Sequence, residues 1–218
     1  MISLRSAAAC RRLDKPQSDD VYHPMMRYPA EHKEETRDRI VETASRRFRG
    51  GGAGVGIADL MKALKLTHGG FYRHFRSKDH LFAEALAKAF EEGETRMAAA
   101  VQRAAPGREV QTLIETYLSE EHCAHPDFGC PIAALAPEVA RQSRAVRAAM
   151  ERCLLQRVDR LARFMRGKTA EERRGRALAL LSSMAGAMTL ARAVSDKKLR
   201  RTILESARQT CIETFASG

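Results

Sequence analysis

The chain reads as all-α: about nine helices, a pair of short ones near the N-terminus and a longer helical domain behind them. Three observations lead there. Apolar residues recur at helical spacing through most of the 218 residues. No segment alternates apolar and polar residues with β-branched enrichment. Helix-start residues (Thr67, Ser77, Thr169, Asp196) stand just ahead of the periodic runs. With 44% apolar residues, a chain of this length can bury a core. No run approaches the roughly 20 apolar residues of a membrane span, and no internal repeat is visible.

Taken in order, residues 1–28 carry Pro16, Pro24 and a polar run without an apolar period, which predicts a disordered leader. Met25-Met26 suggests that translation begins there. Between Glu31 and Phe48, Ile40, Val41, Ala44 and Phe48 form one apolar face, and Gly50-Gly51-Gly52 ends the helix. A short helix comes next, with Ile57, Leu60, Met61 and Leu64 on one side. After a tight turn at Lys65-Leu66, Thr67 caps a third helix running to Phe75. Ser77 caps a longer one through Leu81, Phe82, Leu86 and Phe90. Beyond Pro106-Gly107, helices are expected over Val110–His122, from Pro131 to about Arg141, over Arg144–Met165, over 170–193 behind the capping box Thr169-x-x-Glu172, and over 197–215 behind Asp196. His125–Gly129 reads as a loop.

Charge narrows the function. Lys and Arg outnumber Asp and Glu by 38 to 27, a net +11, which favours a polyanionic partner, nucleic acid first. Five widely spaced cysteines form no disulfide framework. With no export signal, they suggest a reducing cytoplasm. No Ser/His/Asp order, phosphate loop or paired-carboxylate motif supports an enzyme, and no cofactor motif appears. A helical adaptor or membrane-surface protein is the competing class. Salt-sensitive, sequence-preferring duplex binding would separate it from a DNA-binding one.

The stretch 31–80 has helix-turn-helix geometry: short helix, turn, then a second helix that starts Thr67-His68-Gly69-Gly70 with no bulky apolar side chain. Phe71 and Phe75 would be its buried face. Tyr72, Arg73 and His74 would point elsewhere, and the amides behind Ser77, with Lys78, would attract phosphate. The plainer reading is a solvated helix pair with surface charges.

Gly54-Val55-Gly56-Ile57-Ala58-Asp59-Leu60-Met61 and Leu66-Thr67-His68-Gly69-Gly70-Phe71-Tyr72-Arg73-His74-Phe75-Arg76-Ser77-Lys78 resemble the N-terminal domain of tetracycline-repressor-like (TetR/AcrR) regulators. Phe128-Gly129-Cys130-Pro131-Ile132-Ala133-Ala134-Leu135 resembles a segment from one branch of that family. The resemblance implies a homodimer whose recognition helices read a near-palindromic operator on double-stranded DNA. It implies repression relieved by a small molecule, and a division into a DNA-binding unit at 29–78 and a ligand-binding and dimerisation unit at 79–218. Carried over by position, Thr67, His68, Gly69 and Tyr72 would face the groove. His74 and Lys78, with Lys33 or Thr36 from the first helix, would hold the backbone. Two positions depart from the pattern: Gly56 stands where many members have Thr, and Lys65 where many have a turn Gly. Lys65 at positive φ would cost roughly 1 kcal/mol.

Tyr117, His122, Phe128, Met150, Phe164, Met184 and Met188 are candidates to line the effector pocket, beside their ordinary reading as core. Cys130, ahead of Pro131 at a helix start, is a candidate there and a candidate thiol sensor. His122, Cys123, His125 and Cys130 match no zinc spacing, so no metal is expected. Nothing in the sequence specifies an anionic ligand. The nine basic residues from Arg141 to Lys168 read as a solvated face. The small residues of 170–193 (Ala177, Ala179, Ser182, Ser183, Gly186), with Ile203, Leu204, Ala207, Cys211 and Phe215, suit a two-fold four-helix interface.

Overall fold

The computed structural model describes residues 30–216, and over this range the chain is helical with no strand. The expected leader, with Cys10 and Met25-Met26, lies outside the described residues. Ten α-helices succeed one another there: α1 (Ala30–Gly51), α2 (Ile57–Ala63), α3 (His68–Phe71), α4 (Lys78–Gln102), α5 (Glu109–Tyr117), α6 (Glu120–Ala124), α7 (Pro131–Val139), α8 (Arg144–Ala162), α9 (Ala170–Ala193) and α10 (Lys197–Cys211). A 3₁₀ turn (Pro126–Phe128) precedes α7, and a π-helical turn (Ile212–Ala216) closes the described chain.

The caps sit where the sequence places them. Thr67, Ser77 and Asp196 accept the backbone N–H groups of Gly70, His80 and Leu199. Thr169 and Glu172 close the reciprocal box. Two elements differ from expectation. The third helix keeps α geometry only over His68–Phe71, and Arg73 and His74 bond back to Gly70 and Phe71 in tighter turns. Two glycines among its four residues give it little helical propensity of its own. The helix expected over Val110–His122 breaks at Leu118-Ser119. There Ser119 caps α6, and His122 Nδ1 bonds the Tyr117 carbonyl at 2.6 Å. The break turns the chain so that both Tyr117 and Cys123 are buried.

Two cores form. The first gathers Ile40, Phe48, Leu60, Met61, Phe71, Phe75, Leu81 and Leu86 with Leu135, Val139, Val146 and Met150. The second gathers Leu113, Ile114, Tyr117, Val158, Leu180, Met184, Met188 and Leu204. Helices α4, α7 and α8 contribute to both, so the two cores share packed elements. Within α7, Pro137 has no N–H for the Ala133 carbonyl, and the Thr189 hydroxyl of α9 donates to it instead at 3.1 Å. No helix among the described residues is long and apolar enough to cross a membrane.

Candidate nucleic-acid interface and ligand cavity

The short helix pair presents its polar start outward. Phe71 and Phe75 are buried and stack at 5.6 Å, with the Arg37 guanidinium 4.9 Å from the Phe75 ring. That packing turns the opposite side of α3 to solvent. Thr67, His68 and Gly69 are exposed, and Tyr72 is 61% exposed. The His68 and Tyr72 rings meet edge to face at 5.9 Å. A side chain at Gly69 would meet nothing within 4 Å, so a base edge or phosphate could approach the backbone closely there.

Lys65 holds the turn at φ +58° and is exposed, as are Lys62, Arg73 and Arg76. Gly56 caps α2 through its backbone only. His74 is half-buried, and its Nδ1 has no hydrogen-bond partner among the described residues. Burial, then Lys33, Arg37 and Arg73, lower its pKa. Lys33 of α1 is therefore close to His74 and exposed; Thr36 is half-buried on the same helix. Lys78 is half-buried, and its Nζ donates to the Ala53 carbonyl at 2.7 Å. The neighbouring Ala53 N–H donates to the Glu138 carboxylate of α7. The α1–α2 loop is thus gripped from α4 and from α7.

Behind the short helix pair lies a cavity of about 570 Å³ under α4. Tyr117, His122, Phe128 and Cys130 line it, together with Met97, Arg96, Arg103 and Arg157. A second cavity of about 330 Å³ holds Phe164 and Met184; Tyr117, Met97 and Arg157 border both. Met150 lines neither, because it packs into the first core, and Met188 is fully enclosed in the second. Both methionines follow the ordinary core reading.

His122 is fixed by its own neighbours. Its Nδ1 faces the Tyr117 carbonyl, which can only accept, so Nδ1 carries the proton and Nε2 accepts the Cys130 N–H at 3.0 Å. Burial pushes its pKa down to about 4. Cys130 caps α7 at a buried site, and Cys123 and Cys211 are buried as well. Among the described residues no cluster of three or more His, Cys, Asp or Glu could hold a metal.

Four arginines matter that the sequence reading passed over or placed in solvent. Arg49 is wholly buried. It donates to the Ser45 hydroxyl and carbonyl, to the Gly129 carbonyl at 3.0 Å, and to the Glu92 carboxylate. Arg157 donates to Glu94 at 2.5 Å and is buried, not part of a solvated face. Arg192 reaches the carbonyls of His122 and Cys123, and Arg96 that of Phe128. The signal for the first two was positional. Arg49 extends the buried i, i+4, i+8 series Val41, Ser45, Arg49, and Arg157 lies between Met150 and Leu161 on the buried stripe of α8.

With this geometry in hand, comparison places the chain among known proteins. The family model "Bacterial regulatory proteins, tetR family" matches residues 40–85. The model "Transcriptional regulator LmrA/YxaF-like, C-terminal domain" matches residues 106–209, which include the segment Phe128–Leu135. Together they span more than half of the chain. No curated protein matches in sequence. Among solved structures, a TetR transcriptional regulator from Chloroflexus aurantiacus is 25% identical, with a TM-score of 0.69, covering 86% of this chain and 100% of its own. TetR-family regulators from Cytophaga hutchinsonii (20% identity, TM-score 0.70, 86% and 98% covered) and Agrobacterium tumefaciens (19%, 0.68, 84% and 99%) share the fold.

Proposed function

Because the chain belongs to the tetR family of bacterial regulatory proteins, we propose that this transcriptional regulator is a repressor. It binds a near-palindromic operator as a homodimer and leaves it when a small molecule fills the cavity under α4. The observation that carries the reading is the bare start of α3. Thr67, His68, Gly69 and Tyr72 stand exposed on a helix anchored from behind by Phe71 and Phe75, with exposed cations on both flanks. A recognition helix needs such a face to enter a major groove start first. Thr67, His68, Gly69 and Tyr72 meet the groove. Lys33, Thr36, His74 and Lys78 hold phosphates, and Lys78 keeps donors to spare after its bond to Ala53. Tyr117, His122, Phe128, Cys130, Phe164 and Met184 border the effector space.

Two recognition helices must lie about 34 Å apart to read successive grooves. Since α4 runs from the reading end to the wall of the cavity, its tilt sets that separation. An effector acts to the extent that it binds the splayed shape better.

The test is binding to the DNA flanking the gene, followed by fluorescence anisotropy as salt is varied. If each protomer neutralises about four phosphates, log K falls against log salt with a slope near −7. A slope flatter than about −2, or equal binding to every duplex, overturns the reading.

A further inference from the structure

The geometry points to a small organic anion as the occupant of the 570 Å³ cavity: a ring-bearing apolar body carrying one carboxylate or phenolate oxygen, met by Arg96, Arg157 and the Tyr117 hydroxyl. This deepens the reading of that cavity as the effector site and rests on it.

The charges around the cavity do not balance. Arg49 takes Glu92, and Arg157 and Arg160 share Glu94. Among the described residues, Arg96 bonds only a backbone carbonyl. Gly93 brings it beside Arg157: a Cβ there would lie 3.5 Å from Arg157 Nη1 and 4.0 Å from Arg96 Nη2. Two guanidiniums therefore face one space, and the nearest carboxylates, Glu92 and Glu94, are already bonded to Arg49 and to Arg157 and Arg160. Of the described residues, the only acid lining the cavity is Glu121, against Arg96, Arg103 and Arg157. A cationic ligand would add a like charge to this cluster, whereas an anionic oxygen would neutralise it.

The Tyr117 hydroxyl, enclosed just behind the cavity wall, makes the site more specific. Among the described residues its one hydrogen-bonding neighbour is a thiol. The Cys130 thiol and the Arg157 guanidinium lie beside it, and a thiol is a weak partner. A buried hydroxyl left so costs stability unless a ligand accepts from it. Nor can His122 take the role, because both ring nitrogens are engaged within the protein. The body of the ligand is met by Met97, by the Tyr117 ring and by Phe128, which is 43% exposed. An anionic oxygen on such a body satisfies the cations and the hydroxyl at once; a neutral apolar molecule satisfies neither.

Three probes of one shape test this: 2-naphthoate, 2-naphthylmethanol and 2-naphthylmethylammonium. The chain has no tryptophan, so naphthalene fluorescence reads binding directly on the full-length protein without DNA. 2-Naphthoate should bind about tenfold or more tighter than either relative. Arg96→Gln should weaken it about tenfold, and Tyr117→Phe roughly threefold, with no loss of folding for the latter because it removes an oxygen held only by a weak thiol partner. The proposal is overturned if the alcohol or the ammonium binds as tightly as the acid, or if naphthoate fails to bind at about 1 mM. It is also overturned if neither substitution moves the naphthoate affinity. A protein that binds its operator yet prefers the ammonium sinks this proposal alone. One that binds naphthoate but no duplex sinks the regulatory reading.

Discussion

His122 engages both of its ring nitrogens inside the protein, and this makes it a point of acid sensitivity. Its pKa is about 4 in the folded chain against 6.5 for a free imidazole. A lowered histidine pKa adds stability that is complete above pH 6.5 and is lost as the pH falls towards 4, because the unfolded chain takes up the proton first. Between pH 7 and pH 5 the loss should be about 2 kcal/mol. Urea melts of the wild type and of His122→Gln would check it: the wild type should lose that increment and the variant should not. At this scale the sequence was legible where chemistry is local. Thr67 and Ser77 had to cap the helices behind them, and Phe71 and Phe75 were the only large apolar residues available to anchor α3. Lys65 does sit at positive φ. The buried arginines were not legible, because a guanidinium on an apolar stripe is read as an exception until its partners, eighty and sixty-three residues away in the cases of Gly129 and Glu94, are in place.

At the scale of elements, caps decide boundaries, and two threonines with the same local role have different remote ones. Thr67 and Thr169 each accept a backbone N–H three residues on, at 3.2 and 3.0 Å. Replacing either by alanine removes a cap and should cost about 1 kcal/mol in a thermal melt. Only Thr67→Ala should weaken duplex binding, because Thr169 begins α9 at the far end of the molecule. Equal effects on the operator would show that α3 is not the reading element. The elements that escaped the sequence are those set by contacts between helices. Helical period runs straight through Leu118-Ser119. The break is held by the His122–Tyr117 bond and by the burial of Cys123, neither of which a periodicity can register. The end of α3 eluded it for a related reason. Phe71 and Phe75 must both reach one core while Ser77 turns extended to start α4, and tighter turns allow that.

At the scale of the whole molecule, α9 carries an exposed stripe at four-residue spacing: Leu178, Ser182, Gly186 and Leu190, the two leucines 46% and 60% exposed. Leu199 of α10 is exposed to a similar degree. A side chain at Gly186 would meet nothing within 4 Å among the described residues, which leave the stripe flat and uncovered. In the proposed homodimer it is the shared face, and Leu190→Glu would set two carboxylates near the two-fold axis at a cost of several kcal/mol. Sedimentation should then find monomers, with operator affinity down by about a hundredfold or more. An unchanged dimer would move the interface elsewhere. Of the residues the sequence offered for a two-fold interface, Ser182 and Gly186 lie on this stripe, whereas Ala177, Leu204 and Cys211 are buried within the single chain because they close its own second core; the sharing of α4, α7 and α8 between two cores had no sequence signature. That sharing gives Arg49 its wider meaning. It fastens α1, α4 and the turn before α7 with a side chain that has no exposed atom. Such a charge cannot be left half-partnered while α4 swings. Any change of tilt must carry Arg49 along whole or cross a barrier at which one of its bonds is already broken. The passage between the two shapes of the proposed switch would then be an activated jump, on the microsecond-to-millisecond scale of collective motions. In the proposed switch an effector would change how often the protein makes that jump and how long it dwells on each side, and would leave no stable halfway posture to occupy.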